Sequence, residues 1–154
     1  MTPLPEPSLS FAFEARVTCA PPERIGHGTG EELWFTPIVG GTVDGPRLQG
    51  EVVATGGDWS TTRGEATELD ARYLLRASDG ALIDIVNRGF WRASKEVEAR
   101  LEAGEEVDES EFYYRTSPVF RTDAPAHAWM ASTVFVGLAR QEGDQVCIRF
   151  FAVD

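Results

Sequence analysis

The chain has 154 residues, enough for one domain with a single core, and its 25 acidic against 14 basic residues give a net charge of −11. Such an acidic surface repels a phosphate backbone, so we expect no nucleic-acid partner. No apolar run approaches the roughly 20 residues of a membrane helix, and residues 1–10 lack the basic and apolar stretches of a signal peptide. We therefore expect no membrane partner and a cytoplasmic location.

The first third of the chain reads as strands separated by turn residues. Apolar and polar residues alternate from Leu9 to Cys19, which predicts a half-buried strand. A loop over residues 21–30 separates it from a second predicted strand, Leu33–Val39. Turn residues at 44–46 then lead into a third, Gln49–Ala54.

The rest of the chain adds a hairpin, one helix and three strands. Glu68–Arg76 and Ala81–Phe90 flank an Asp-Gly turn, a strong hairpin signal. Ser94–Ala103 is the single predicted helix, with Ser94 as its cap and Gly104 after its end. The remaining predicted strands are Phe112–Arg121, His127–Gln141 and Val146–Val153.

About eight short strands with one short helix indicate an all-β protein. We predict a single-domain antiparallel β-barrel over residues 1–154, lipocalin-like or calycin-like in general shape, with residues 1–7 flexible. A sandwich is the structural alternative. An eight-stranded barrel has an interior just wide enough for side chains and one small ligand.

No metal or cofactor motif stands out. The two histidines, His27 and His127, do not supply the imidazoles that a zinc or iron site usually needs, and no glycine-rich nucleotide motif sits between a strand and a helix. Cys19 and Cys147 lack metal-ligand spacing, so we expect free buried thiols, with a bridge between the two as the less favoured alternative. We therefore predict no metal and no cofactor.

The Gly-Gly-Asp-Trp segment at residues 56–59 is the first candidate site. It places the carboxylate of Asp58 and the indole of Trp59 beside two glycines that let the backbone bend. One interpretation is a pocket wall. The alternative is a β-bulge in which Asp58 satisfies backbone donors and Trp59 packs in the core.

The predicted hairpin carries further polar residues. Asp70 and Arg72 share one strand face, as pocket groups or as a surface ion pair, and Tyr73 lies on the other face. Asn87 ends an otherwise apolar face, which is typical of a strand that reaches the mouth of a pocket. A hydrogen-bonded structural Asn87 is an equal alternative.

Two later strands and the end of the hairpin supply the other candidates. Tyr113 and Arg115 share one face, and an inward Arg115 would hold an anion or a carbonyl. Trp129 and Phe135 lie on a strand predicted to be central, where Trp129 either packs in the core or lines the pocket. Trp91 would enlarge an aromatic wall.

These observations favour a cofactor-independent isomerase, cyclase or lyase that uses acid–base chemistry on a small hydrophobic carbonyl or aromatic substrate. Asp58 or Asp70 would move the proton, and the groups expected to hold a developing oxyanion are Tyr73, Asn87 and Arg115. The residues expected to contact the substrate are Trp59, Trp91, Tyr113, Trp129 and Phe135. Two alternatives stay open: a non-catalytic carrier of small hydrophobic molecules, and a packed barrel whose acidic face binds a partner protein.

Several segments, in their order and spacing, resemble one family over nearly the whole chain. They are Gly40-Gly41-Thr42, Gly45-Pro46, Gly56-Gly57-Asp58-Trp59, Glu68-Leu69-Asp70-Ala71-Arg72-Tyr73, Asp79-Gly80-Ala81, Asn87-Arg88-Gly89, Tyr114-Arg115-Thr116, Pro118, Phe120 and Ala128-Trp129. The chain resembles domain of unknown function 3237, the UPF0311 family. This resemblance implies a compact β-barrel that self-associates, here expected as a homodimer, and it implies no established common reaction.

Overall fold

All strands join in one antiparallel sheet that closes on itself. The computed structural model describes residues 1–154. The strands are β1 (Leu9–Cys19), β2 (Glu23–His27), β3 (Glu32–Asp44), β4 (Gly50–Val52), β5 (Gly57–Arg63), β6 (Ala66–Ala77), β7 (Leu82–Arg92), β8 (Tyr113–Arg121), β9 (Phe135–Glu142) and β10 (Gln145–Val153), with α1 (Lys95–Glu102) between β7 and β8. The last strand, β10, pairs with β1, and β1 pairs with β3, which closes the barrel.

The ten strands occupy eight positions around the barrel. β1 and β2 pair with successive parts of the same edge of β3, so they form one interrupted position. β4 and β5 both lie between β3 and β6 and form a second interrupted position. The predicted eight-stranded antiparallel barrel with one short helix is therefore confirmed, and β2 and β5 are additional strands.

Two local predictions were wrong. Residues Ala128–Ser132 form a 3₁₀-helix, and β9 begins only at Phe135, so the predicted strand His127–Gln141 starts too early. The hydroxyl of Thr133 donates a hydrogen bond to the carbonyl of Trp129 at 2.7 Å, which holds this turn in place. The predicted loop at 21–30 contains β2, which pairs with β3.

One end of the barrel is filled by aromatic side chains. The rings of Phe13 and Phe150 lie 4.9 Å apart and those of Phe120 and Phe135 5.0 Å apart, and all four are buried. Met130, from the 3₁₀-helix, is buried against the same core. This packed end leaves the opposite end of the barrel as the place for a ligand.

The remaining elements agree with the sequence. The Ser94 hydroxyl accepts a hydrogen bond from the backbone N–H of Val97 at 3.2 Å and caps α1 as predicted. Both cysteines are free as predicted, but only Cys147 is buried and Cys19 is half-buried. None of the chain's helices combines the length and apolar character required to cross a bilayer.

Candidate active site

The open end of the barrel holds a cavity of about 340 Å³, which lies at the small end of the range for ligand pockets. Its apolar lining consists of Val17, Pro22, Ile38, Leu69, Ala71, Val146 and Ile148. Its polar lining consists of Cys19, Thr36, Asp58, Tyr73, Asn87, Tyr114, Thr116 and Gln141. Asp58 is the one acidic or basic side chain among the lining residues.

Asp58 is placed by a tight break between β4 and β5. Gly56 has a φ of +71°, and a Cβ there would lie 2.0 Å from the carbonyl oxygen of Arg72, so only glycine fits. Strand β5 starts at the next residue and turns Asp58 inward. The backbone N–H of Asp70 donates a hydrogen bond to Oδ1 of Asp58 at 2.9 Å. The other carboxylate oxygen has no partner within the chain.

The surroundings of Asp58 bring its ionisation towards neutral pH. Burial raises the pKa of this carboxyl from 3.8 to about 6, since an apolar environment disfavours the charged form. The hydrogen bond from the Asp70 N–H opposes this change, and the nearby Asp70 carboxylate adds to it. A carboxyl with such a pKa can accept or donate a proton under ordinary conditions.

Three buried polar atoms in the cavity make no well-formed hydrogen bond: Tyr73 Oη, Asn87 Oδ1 and Thr116 Oγ1. The Asn87 side chain lies near the Tyr73 phenol and acts to lower its pKa, against the larger effect of burial. The three residues are 3%, 3% and 5% exposed and face inward from the neighbouring strands β6, β7 and β8. We call these three residues the inner polar triad. Gly137 on β9 makes room for the Thr116 hydroxyl, because a Cβ there would lie 2.2 Å from it. Since unpaired buried polar groups are costly, a ligand that supplies their partners would bind favourably.

The cavity's other ionisable groups stay neutral. Burial raises the pKa of Tyr73 and of Tyr114, so both phenols remain protonated donors. Burial also raises the pKa of the Cys19 thiol to about 11. This thiol is therefore a poor nucleophile at neutral pH.

The cavity opens into an acidic groove on the surface. Residues 104–109, which follow α1, line the groove together with Trp91 and Phe112. Its basic residue is Arg140, whose guanidinium nitrogens lie 2.6 Å from a carboxylate oxygen of Glu109 and 2.7 Å from one of Glu142. Asp58 and Tyr114 border both spaces, so the groove is the mouth of the cavity.

Of the five residues predicted from the sequence to be catalytic, the structure brings three together in the cavity: Asp58, Tyr73 and Asn87. Asp70 lies on the outer surface and pairs with Arg88 at 3.1 Å, because it alternates with the inward-facing Leu69 and Ala71. Its predicted surface pair with Arg72 is therefore wrong.

Arg115 also lies outside the cavity. Its guanidinium donates to the carbonyl of Tyr114 at 3.0 Å. Tyr114 and Thr116 take the inward positions on β8, so the intervening Arg115 must point outward. The inward orientation of Arg115 considered from the sequence is wrong.

The predicted substrate-contacting aromatic residues are spread over the molecule. Trp91 lines the mouth. Trp59 is 49% exposed and packs on the outside, with its ring 4.7 Å from that of Phe35. Tyr113 lies on the outer face, where the guanidinium carbon of Arg92 is 4.1 Å from the centre of its ring.

Trp129 and Phe135 belong to the closed end, where Phe135 is part of the aromatic core. Arg47 covers the Trp129 ring at 3.5 Å. The sequence interpretation missed Tyr114 and Thr116. Their alternation with the core residue Phe120 was the signal that they face inward.

Half of the chain is similar in sequence to a fungal enzyme. The hydroalkoxylation enzyme phnH of Penicillium herquei is 35% identical over 79 residues, which are 50% of this chain and 52% of that protein. A crystal structure of an enzyme from Penicillium herquei covers all of both chains with a TM-score of 0.76 at 19% identity. At this identity the structural match shows a shared fold.

Bacterial relatives match over nearly the whole length. A UPF0311 protein of Rhodopseudomonas palustris is 36% identical over 152 residues, or 96% of each chain. The crystal structure of a β-barrel-like protein from Acinetobacter baumannii covers all of both chains with a TM-score of 0.87 at 29% identity. The profile of the family described as "Protein of unknown function (DUF3237)" matches residues 7–153. The chain therefore belongs to the DUF3237 family, as this match and the similarity to the UPF0311 protein show.

Proposed function

We propose that this protein is a cofactor-independent enzyme, an isomerase, cyclase or lyase, that moves protons on a small, mostly apolar carbonyl or aromatic substrate. The observation that carries the proposal is the Asp58 carboxyl in an apolar cavity, with one oxygen fixed by a backbone N–H and the other without a partner. Asp58 serves as the acid–base group.

Tyr73 and Asn87 are suited to hold a developing oxyanion. The Tyr73 phenol is a protonated donor, and the Asn87 side-chain amide carries two further donors. Both lie in the same buried cavity as Asp58, where hydrogen bonds to a forming negative charge are stronger than in water. Arg115 and the side chain of Asp70 do not contact the substrate in this proposal, because both lie outside the cavity.

The fungal relative's name supports this class of chemistry. Hydroalkoxylation adds a hydroxyl O–H across a carbon–carbon double bond, so the hydroxyl loses a proton and one alkene carbon gains one. A single carboxyl that exchanges protons within an apolar cavity can serve both transfers. We propose additions of this type, and their reversal, as the first reactions to examine for this chain.

The test begins with a thermal-shift screen of the purified protein against hydroxyl-bearing alkenes, enones and aromatic ketones, since binding raises apparent stability. Each ligand found is incubated with the protein, and products are followed by NMR and mass spectrometry. We expect a product whose formation Asp58→Asn reduces by at least about 100-fold, the ordinary contribution of general acid–base catalysis.

Asp84→Asn is the matched control, because it removes a carboxylate that lies outside the cavity, alternates with the buried Ile83 and Ile85, and does not contribute to the pKa shift of Asp58. It should leave turnover within about a factor of two, as expected for a surface change. Full turnover in Asp58→Asn contradicts the assignment. Ligands that bind and are recovered unchanged under all conditions contradict the enzyme and favour the carrier.

A further inference from the structure

No cation faces the cavity. Its 15 lining residues include no Lys, Arg or His, and the single charged group is Asp58. A carboxylate, phosphate or sulfate that entered would lose its hydration and meet a buried acid of the same sign. The arginines that could pair with such an anion, such as Arg88 and Arg115, are on the outer face of the barrel.

The mouth adds repulsion to this penalty. Glu105, Glu106, Asp108, Glu109 and Glu142 line the groove against one arginine, Arg140, which is already paired with two of them. Arg16 and Arg100 also pair with Glu142 and Glu105, which leaves an excess of carboxylates at the mouth. Low-dielectric walls concentrate the field of that excess negative charge. Anions therefore meet an unfavourable potential before they reach the cavity.

The inner polar triad favours a neutral polar group. Tyr73 Oη and Thr116 Oγ1 can each donate or accept, and Asn87 Oδ1 can only accept. A group that only accepts would leave Asn87 Oδ1 unpaired, and an apolar group would leave all three atoms unpaired. A ligand that both donates and accepts can satisfy the whole set.

From these contacts we propose that the cavity selects an uncharged ligand whose head group both donates and accepts hydrogen bonds at the inner polar triad, and that it rejects anions. Hydroxyketones, enolised dicarbonyls and primary amides have this chemistry. The inference rests on the proposed function in that it names the substrate class for the same site. It also makes Thr116 a specificity-determining residue.

The test compares three ligands of one shape. The primary amide 2-naphthamide donates and accepts, 2-acetonaphthone only accepts, and 2-naphthoate is an anion. Binding is measured by isothermal titration calorimetry near neutral pH. We expect 2-naphthamide to bind at least about tenfold more tightly than 2-acetonaphthone, the value of about one hydrogen bond. We expect 2-naphthoate to bind more weakly still.

Thr116→Val removes one hydroxyl at constant shape. The affinity for 2-naphthamide should fall about five- to tenfold, as the loss of one neutral hydrogen bond implies. Thr133→Val, at the closed end, is the matched control and should leave this affinity unchanged. Equal binding of 2-naphthoate and 2-naphthamide, no binding of 2-naphthamide, or an unaltered Thr116→Val affinity each overturns the inference.

Asp58→Asn separates this inference from the proposed function. The variant should still bind 2-naphthamide. The difference in affinity between 2-naphthamide and 2-naphthoate should become smaller, because the buried negative charge that repels 2-naphthoate is gone. If Asp58→Asn still turns over a substrate and the cavity still prefers neutral ligands, the catalytic role of Asp58 is contradicted and the ligand inference stands. If 2-naphthoate binds as tightly as 2-naphthamide and turnover still depends on Asp58, the ligand inference is contradicted and the catalytic role of Asp58 stands.

Discussion

Two effects of opposite sign act on Asp58. Burial disfavours its carboxylate form, and the hydrogen bond from the Asp70 N–H favours it. Burial is the larger effect, so the pKa rises to about 6. At neutral pH the buried Asp58 carboxylate therefore lowers the free energy of unfolding. Such a loss of stability is common where burial shifts the pKa of a catalytic group.

This cost makes the free energy of unfolding depend on pH. In the unfolded chain Asp58 has the ordinary pKa of about 3.9, so between about pH 4 and pH 6 the folded state binds more protons and loses stability as pH rises. Asp58→Asn removes the titration while keeping an oxygen that can accept from the Asp70 N–H. We expect its stability relative to the parent to increase with pH, by at most about 3 kcal/mol at about 1.36 kcal/mol per pKa unit.

Urea unfolding of both proteins at several values between about pH 4 and pH 7 measures this difference. The contribution vanishes only well below the unfolded-state pKa of about 3.9, where Asp58 is protonated in both states. A stability difference that stays constant across the range would show that Asp58 titrates normally. Asp84→Asn controls for the loss of a carboxylate on a nearby strand without changing the pKa of Asp58.

The sequence was sufficient to predict Asp58, Tyr73 and Asn87 as site residues. It did not lead to Tyr114 and Thr116, which line the same cavity. Asn87 continues the inward-facing apolar positions of β7, so strand alternation alone places it inside. On β8 the two alternating sets, Tyr113 with Arg115 and Tyr114 with Thr116, are equally aromatic and polar. These four residues alone cannot show which set faces inward. The choice needs Phe120 further along β8, which is buried and shares a face with Tyr114 and Thr116.

At the scale of elements, the break between β4 and β5 controls the site. The two strands share one position between β3 and β6, and residues 53–56 separate them. The positive φ of Gly56 and its closeness to the Arg72 carbonyl let β5 start immediately and direct Asp58 inward. A change at Gly56 should therefore disturb both stability and the position of Asp58.

Gly56→Ala should destabilise the protein far more than a glycine change in an open turn. Gly64 is the matched control: it has a φ of +62°, and a Cβ added there would meet no atom within 4 Å. Gly64→Ala then costs only the backbone strain of about 1–2 kcal/mol. Gly56→Ala adds a clash with β6, and denaturant unfolding should show a larger loss together with loss of ligand binding. Equal losses in the two variants would contradict this account.

Strands were predictable where an apolar face alternates and not where pairing alone creates the strand. β1, β6, β7 and β10 have such faces. β2 is exposed along most of its length and forms through hydrogen bonds to β3. The 3₁₀-helix Ala128–Ser132 was misread because its apolar residues cover the barrel end instead of alternating across a sheet.

At the scale of the whole molecule, closure divides the barrel into a filled end and a ligand-sized end. Phenylalanines from β1, β8, β9 and β10 converge at the first end. At the second end the inward positions carry smaller or polar side chains, such as Val17, Ala71 and Thr116, and a cavity remains. The distribution of side-chain volume along the strands therefore sets the depth of the site.

The expected homodimer stays a prediction, and its salt dependence tests its physical basis. Two chains of net charge −11 repel each other, and at physiological salt this repulsion is screened beyond about 8 Å. Several apolar side chains are at least half exposed on the outer surface, among them Phe90, Val119 and Val134. An interface that buries such groups gains from the hydrophobic effect, which added salt does not weaken.

Sedimentation velocity should therefore give a mass near twice 16.9 kDa, with a dimer fraction that rises between about 20 mM and about 300 mM NaCl as the repulsion is screened. The sign of this dependence discriminates between two kinds of interface. A dimer held by complementary charges would dissociate over the same range, because screening weakens attraction as well as repulsion. A monomer at every salt concentration would contradict the prediction of self-association itself.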